Sequence, residues 1–583
     1  MTSTIDMLLP QILQINMQDF SQQQQLVSRI FGLWTSVDTQ LRSSILLSLR
    51  ECFFRAMTAS QKELYLTALA GELSKNSNTV GDHLELLGQL IKYAPLDVQP
   101  LVEQVLLLAQ ELHKPKDRIC MMHFLKYAWD ICDDAHCRQI RILLQQLQSD
   151  PDADLAEVAS DVLYAIDSRP ICHSGSKVAL VIPEFLTSAT FLQQPLDFMT
   201  ALSVLEQRGI TADILDNRVH NDSLSHLARQ LQPYQTIIIT SSPVDMVQKY
   251  YVDLRYCIFC ETVNWLYAQF PDKQIIVCGA HGTVDQALLL RDIRCHRILP
   301  GESTRAIVSY LLGEDTDAAL LLRHSPRWDA VDMKWYYGRK VVNGTTYRQK
   351  NYSIVQLSQG CPYRCLFCFN IYGRQVRRMP VDTAVAQLQR LKEIGVEHIF
   401  FIDQTFTLDG NYVRELCRQM CRQKLDLRWQ CETRADLITP EVVQAMKEAG
   451  CSAIWLGFES FSQAVLDANQ KQLTVAQQLE AIGIIQDAGI ACSGFVMLGM
   501  VADTPETIQE TMDTIALHKI PTSRTANLCT VRIGTELYDR AKAAGLIQAE
   551  SFCHLEAYRG SLFNDLTESQ LLDALHRFSA QLR

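Results

Sequence analysis

Cys361, Cys365 and Cys368 stand at a C-x3-C-x2-C spacing within Gly360-Cys361-Pro362-Tyr363-Arg364-Cys365-Leu366-Phe367-Cys368-Phe369. Three thiolates can hold three irons of a four-iron, four-sulfur (4Fe-4S) cluster and leave the fourth iron open to another ligand. A cluster with an open iron is a place for chemistry, not only for electron storage. Two other readings exist. A structural zinc site wants four ligands, usually as two close pairs, and no second C-x2-C lies near this triplet. Core cysteines clustered by chance would not need a loop. The triplet follows the apolar strand pattern 352–357 and is opened by Gly360 and Pro362, which mark a loop.

The elements that must position this loop repeat regularly. From 351 to about 547 strands and helices alternate, with strands expected at 352–357, 397–402, 428–432, 452–457, 492–498 and 525–530, and helices between them such as 382–394 and 474–488. Six such units are too few for a closed eight-fold barrel. By analogy with closed barrels, the working face is the set of C-terminal strand ends. Asp403, Arg434 and Glu459 follow the second, third and fourth strands there. The Arg434 guanidinium could pair a carboxylate bidentately. Each of these side chains also reads as a strand-end residue satisfied by its own neighbours.

The cysteine segment resembles the signature of radical S-adenosylmethionine (SAM) enzymes. That resemblance implies an open (β/α)6 partial barrel in which Cys361, Cys365 and Cys368 hold the cluster. It implies that the open iron chelates SAM and that the reduced cluster cleaves it to a 5′-deoxyadenosyl radical. By the same likeness Phe367 lies against the adenine, Asp403 stands where the SAM amino group is held, and Arg434 meets its carboxylate. Glu459 would hold the ribose hydroxyls, and the strand from Gly494 to Gly499 would lie beside the adenine.

Residues 175–313 show a second alternation. Val178 to Ile182, Thr211 to Leu215, Thr236 to Thr240 and Gln274 to Cys278 read as buried strands, with a short fifth ending at Ile298. This pattern predicts a doubly wound, Rossmann-like parallel sheet whose ligands sit beyond the carboxyl ends of the strands. Placed just before a radical SAM core, it resembles the cobalamin (B12)-binding domain of the B12-dependent radical SAM enzymes, the family to which the chain is matched. The stretch Gln194-Pro195-Leu196, the turn Ser241-Ser242-Pro243 and the turn Gly279-Ala280-His281 carry that likeness. Ser241, Ser242, Gly279 and His281 are then the expected cobalamin contacts. The chain departs from the family where many B12 proteins carry Asp-x-His-x-x-Gly, because 183–188 reads Pro-Glu-Phe-Leu-Thr-Ser. The expectation is cobalamin held without a protein histidine on cobalt, with His220 and His281 as polar loop residues. Cys257 and Cys260 fall on one apolar face of a helix expected over 252–269 and are assigned no metal.

The remaining regions are framework. Residues 1–170 read as eight or nine helices in an irregular, HEAT-like stack, a packing domain or a substrate-docking one. The Gln run at 22–25 reads as a solvated face or loop. Residues 314–350 are expected to be a linker with little regular structure, and 548–583 a C-terminal helical extension in which Tyr558 and Arg559 could reach a substrate. Arg374, Arg377 and Arg378 could meet an anion or lie in solvent.

The chain has 583 residues, 48% hydrophobic and 20% charged, as in ordinary globular proteins. Its net charge of −11 argues against binding nucleic acid by counterion release. No run approaches 18 apolar residues, the start lacks the basic segment of a signal peptide, and 19 cysteines without a secretion signal imply reduced thiols in the cytoplasm. The resemblance implies a methyltransferase acting on an unactivated carbon of a peptide or small-molecule intermediate, fed by an electron donor such as flavodoxin or ferredoxin. Rearrangement, ring contraction or oxidative cyclisation with the same cofactors stays open. So does radical SAM chemistry without cobalamin, although Cys52, Cys120, Cys132 and Cys137 are too scattered to suggest a second cluster.

Overall fold

The computed structural model describes residues 27–28, 59–73, 80–93, 99–129, 131–167, 175, 177–183, 193–220, 224–242, 254–336, 339–342, 345–348, 351–522, 526–547, 552, 563–564 and 566–581. The Gln run at 22–25, the loop 184–192, Pro243 and the pair Tyr558 and Arg559 lie outside these residues.

The helical region contributes Ala59–Leu73, Val80–Tyr93, Gln99–Leu108, Pro115–Trp129, Asp134–Leu147 and Ala153–Asp167. Their apolar faces, with Leu84, Leu87, Val105, Phe124 and Leu144 fully buried, make a core of their own. Asp133 caps one of these helices, accepting from the amides of Ala135 and His136. Tyr164 meets Trp335 with ring centres 5.1 Å apart, and Lys334 lies 4.2 Å over the Tyr164 ring, which ties this region to the rest.

The second region is a five-stranded parallel sheet of Val178–Ile182 (β1), Ala212–Asp216 (β2), Thr236–Thr240 (β3), Gln274–Cys278 (β4) and Arg297–Leu299 (β5), in the order β2-β1-β3-β4-β5. Runs such as Val-Ala-Leu-Val-Ile are buried on both faces, as parallel strands between helix layers must be. In this order the chain switches direction between β1 and β3, and the crevice beyond their carboxyl ends is where such sheets take ligands.

The crossing segment is more ordered than expected. It holds a helix, Ala318–Leu321, a 3-10 turn, Met333–Tyr336, and an antiparallel hairpin of Arg339–Val342 (β6) and Thr345–Arg348 (β7). Trp328, Met333 and Tyr336 are buried in the main core, and the Tyr336 hydroxyl donates to Asp216 at 2.7 Å. Large apolar side chains every few residues make this a packed strap rather than a linker.

The third region is a six-stranded parallel half-barrel. Its strands are Tyr352–Val355 (β8), His398–Phe401 (β11), Arg428–Thr433 (β12), Cys451–Glu459 (β13), Ala491–Leu498 (β14) and Asn527–Leu528 (β15), in the order β15-β14-β13-β12-β11-β8. Two short strands, Ser358–Gln359 (β9) and Arg377–Arg378 (β10), pair antiparallel at the base of the cysteine loop. Burial alternates along β12 and β14. One face packs on helices through Trp429 and Cys431, both buried. The other stays half-exposed, with Trp455 stacked on Phe495 at 5.7 Å and donating to Gln430 at 3.0 Å. A single core runs through the sheet, the strap and the half-barrel. Among the described residues no helix is long and apolar enough to cross a membrane.

Candidate active site

The three cysteines lie on one loop at the carboxyl end of β8, all half-buried. Gly360 opens the loop at φ +91°, and a side chain there would strike the Gln375 carbonyl. The loop is held by backbone bonds from Cys361 to Gly373 and from Cys368 to Cys365, each 3.1 Å. From outside, the Leu366 amide donates to Asn469 and the Leu537 amide to the Leu366 carbonyl. No three His, Cys, Asp or Glu side chains among the described residues converge on a single ion position. The three thiolates of a four-iron cluster bind three different irons and need no such convergence. Burial pushes the Cys368 thiol up to about 12 and raises Cys365 as well. Both therefore need a metal or a cation to ionise.

Asp403 stands at the end of β11, fully buried. Its oxygens accept from the Leu357 amide at 3.1 Å and the Ser358 hydroxyl at 2.6 Å. It thus fastens the base of the cysteine loop to the neighbouring strand. Burial pushes its carboxyl up to about 6 against these donors. Arg434, expected to meet a carboxylate, meets one of the chain's own. Its Nε and Nη2 reach Asp436 at 3.0 and 3.2 Å, and Nη2 also donates to the carbonyls of Lys471 and Gln472.

Glu459 ends β13 at φ +62°, an uncommon conformation for a side-chain-bearing residue. It accepts from Lys471 Nζ at 2.9 Å in a buried ion pair. Lys471 also lies 6.0 Å from the Phe367 ring. It sits between Gln470 (φ 54°) and Gln472 (φ 52°). Three left-handed side-chain-bearing residues in one corner are strain of the kind that gathers at functional sites. Sequence reasoning did not find Lys471, because a lysine in the run Asn-Gln-Lys-Gln carries no pattern that announces burial. The half-exposed wall of Gln430, Trp455 and Phe495 was also missed, though the alternation along β12 to β14 is its signal.

Gly494 was expected beside an adenine. The Phe458 ring fills the space where a side chain at this position would stand, and a Cβ would stand 2.5 Å from the Leu456 carbonyl. The basic cluster also has partners: Arg377 bonds Glu302 at 2.7 Å, and Arg378 lies 3.5 Å from Asp409.

The Rossmann-like sheet presents its carboxyl edge to the same loop. Gln194 is buried, with its amide accepting from the Ile354 amide and donating to the Tyr352 carbonyl, each at 3.1 Å. Together with the Glu302–Arg377 pair, this sets the sheet against β8. A small cavity of about 30 Å³ opens at the seam, lined among others by Asp197, Glu302, Gln356, Gln359, Tyr372 and Gln387. In the crevice beyond β3, Ser241 is buried with no partner for its hydroxyl among the described residues. A side chain on Gly279 (φ 108°) would come within 2.6 Å of that hydroxyl. This is a polar cradle kept clear for close approach, and it fits a bound nucleotide-like tail. The Ser242 hydroxyl is used within the fold, accepting from the Ala280 amide at 2.8 Å. His281 points into an aromatic cage of Tyr256, Phe259 and Phe552, where burial pushes its imidazole down to about 3 and keeps it neutral.

Residues 355–515 match the model of the radical SAM superfamily. An uncharacterized methyltransferase of Pyrococcus horikoshii is 28% identical over 225 residues, covering 38% of this chain and 47% of that protein. The hopanoid C-2 methylase of Rhodopseudomonas palustris is 30% identical over 200 residues, covering 33% of this chain and 38% of that protein. The chain thus spans less than half the length of these curated relatives. The solved radical SAM methyltransferase TsrM from Kitasatospora setae, with cobalamin and a 4Fe-4S cluster bound, aligns at a TM-score of 0.51 and 15% identity. That alignment covers 64% of this chain and 79% of TsrM, and it shows a shared fold.

Proposed function

We propose that this chain, a member of the radical SAM superfamily by its residues 355–515, is a cobalamin-dependent enzyme that methylates an unactivated carbon. The substrate class we favour is a peptide or a natural-product intermediate. The observation that carries the proposal is the meeting of two carboxyl edges. The three-cysteine loop at the end of β8 faces a Rossmann-like sheet whose edge is pinned to that strand by Gln194 and to Arg377 of β10, at the base of the loop, by Glu302.

Cys361, Cys365 and Cys368 would hold the cluster, and the cradle of Ser241 and Gly279 would admit the cobalamin tail. Cluster and SAM together supply radical initiation, and cobalamin supplies a transferable methyl group. The chain's own part is placement and exclusion. Asp403 fixes the base of the cysteine loop. The Glu459–Lys471 pair closes the neighbouring corner. Trp455 and Phe495 give the half-barrel an apolar wall that keeps water from a reactive substrate. The names of the two methylase relatives and the fold shared with TsrM support methyl transfer.

The test is anaerobic. The full chain is supplied with iron, sulfide and hydroxocobalamin and desalted, and its iron and cobalt are counted. SAM labelled in its methyl group is then added with a one-electron donor of the flavodoxin or ferredoxin class. Retained cobalt, released 5′-deoxyadenosine and label in an added substrate support the proposal. Deoxyadenosine with no label transferred would favour rearrangement or cyclisation. Failure to retain cobalt would overturn the assignment of residues 175–313.

A further inference from the structure

The guanidinium of Arg434 is committed before any ligand arrives. It is buried, forked onto Asp436, bonded to two carbonyls of the 471–472 turn, and stacked 3.6 Å over the Tyr363 ring. One nitrogen remains. Nη1 faces Cys365 Sγ at 4.0 Å, within range of a hydrogen bond to sulfur.

The other two sulfurs are treated differently. The Thr405 hydroxyl lies 3.7 Å from Cys361 Sγ, but its proton goes to the Gln404 carbonyl at 2.7 Å. Cys368 Sγ faces the Phe369 carbonyl at 3.6 Å, which is an acceptor. Among the described residues, only Cys365 has a cationic donor within bonding range of its sulfur. A loop strut alone would not need a cation. A neutral side chain could bridge the carbonyls of Lys471 and Gln472 without the cost of burying charge. The Asp436 carboxylate binds the far side of the fork and lies 3.4 Å from the Tyr363 hydroxyl. The pair is therefore oriented, with its positive end toward the cysteine.

Hydrogen bonds to sulfur and local charge are among the terms that set iron–sulfur potentials. We infer that Arg434 is a positioning residue that sets the reduction potential of the cluster at Cys365, its Nη1 donating to the sulfur and its charge favouring the reduced state. The inference rests on the proposed cluster. The electron itself comes from an external one-electron donor of the flavodoxin or ferredoxin class.

The test needs neither SAM nor turnover. The full chain is loaded with iron and sulfide, and its midpoint potential is read by redox titration with electron paramagnetic resonance. Arg434→Gln alone leaves Asp436 unpaired, so the double variant Arg434→Gln with Asp436→Asn is measured beside it, together with Arg434→Lys and Thr405→Val. Both Gln variants are expected to be about tenfold harder to reduce, a shift of about 59 mV to more negative potential for one electron. Arg434→Lys should fall between them and the parent. Thr405→Val should not move the midpoint, because its proton is directed elsewhere. A Gln double variant with full iron and an unmoved midpoint would make Arg434 a strut and nothing more. Loss of iron from all the Arg434 variants would also overturn the inference in favour of a structural role. The underlying proposal fails separately, if the parent chain itself takes up no iron.

Discussion

Replacing Gln194 by alanine should remove two hydrogen bonds from one strand edge, and the size of the effect can be worked out. Among the described residues β8 is an edge strand, paired through β11 on one side only. On its other side the Ile354 amide and the Tyr352 carbonyl have the Gln194 amide as their partner, both at 3.1 Å. Ile354 is fully buried and Gln194 nearly so, so water is a poor substitute. Each buried group left unpaired costs about 1–3 kcal/mol. With partial relief by relaxation, the strand should open more easily by roughly 2 kcal/mol, or about 30-fold in an equilibrium constant. Hydrogen exchange resolved to the Ile354 amide reads this directly, and that amide should exchange on the order of tenfold faster or more. The amides of Ile237 to Ile239 in β3, inside the Rossmann-like sheet, should keep their parent rates. Gln194→Glu should lie between, since a carboxylate still accepts from Ile354 but no longer donates to Tyr352. If Ile354 keeps its parent rate in a natively folded Gln194→Ala chain, the docking of the two sheets does not depend on this side chain, and the argument from the edge strand is wrong.

Three more expectations follow from single contacts. Asp503 is buried, accepts from the Gly499 and Met500 amides, and burial pushes its carboxyl up to about 6. A raised native value means stability that is present below about pH 4 and lost as pH rises through about 6. Relative to Asp503→Asn, the parent apo-protein should therefore lose up to about 3 kcal/mol between pH 4 and 7. Thermal midpoints of both chains at pH 5 and 7.5 check this, and an equal gap at the two pH values would contradict it. Gly494→Ala should drive a methyl group into Phe458 and cost about 1–3 kcal/mol, seen as a midpoint several degrees lower. Glu302→Gln removes the buried charge opposite half-buried Arg377, so a chelator should strip iron from the loaded chain faster, and an unchanged rate would disconnect this pair from the cysteine loop.

Much of the frame was legible in the sequence because it is written in strong, local patterns. The runs of β1, β3 and β4 are rich in β-branched and apolar residues, and their ends were placed to the residue. The half-barrel strands followed from alternation, and the cysteine loop from spacing alone. What stayed hidden is pairing across distance. Nothing near Arg434 in the sequence says that its guanidinium is also held by a turn nearly forty residues on. The strap from 314 to 350 looked loose because its apolar residues, Trp328, Met333 and Tyr336, follow neither a helical nor a strand period. Nothing around Gly494 in the sequence says that the Phe458 ring of the neighbouring strand fills the space where its side chain would stand.

The distribution of these long-range contacts follows from the open barrel itself. A half-barrel leaves two edges, and here one of them, β15, is only two residues long, while the other, β8, runs straight into the cysteine loop. A loop that must hold three thiols at fixed separations cannot be left to its own backbone, since loops are the most mobile parts of a fold. The chain answers by gripping this loop from several separate segments. From the Rossmann-like sheet Gln194 holds the strand that feeds it and Glu302 holds Arg377 at its base; Asp403 reaches it from β11, Asn469 from the strained turn, and Leu537 from the far end of the half-barrel. Two of these grips belong to the region proposed to carry cobalamin. That region therefore shapes the cysteine loop whether or not anything is bound in its own crevice.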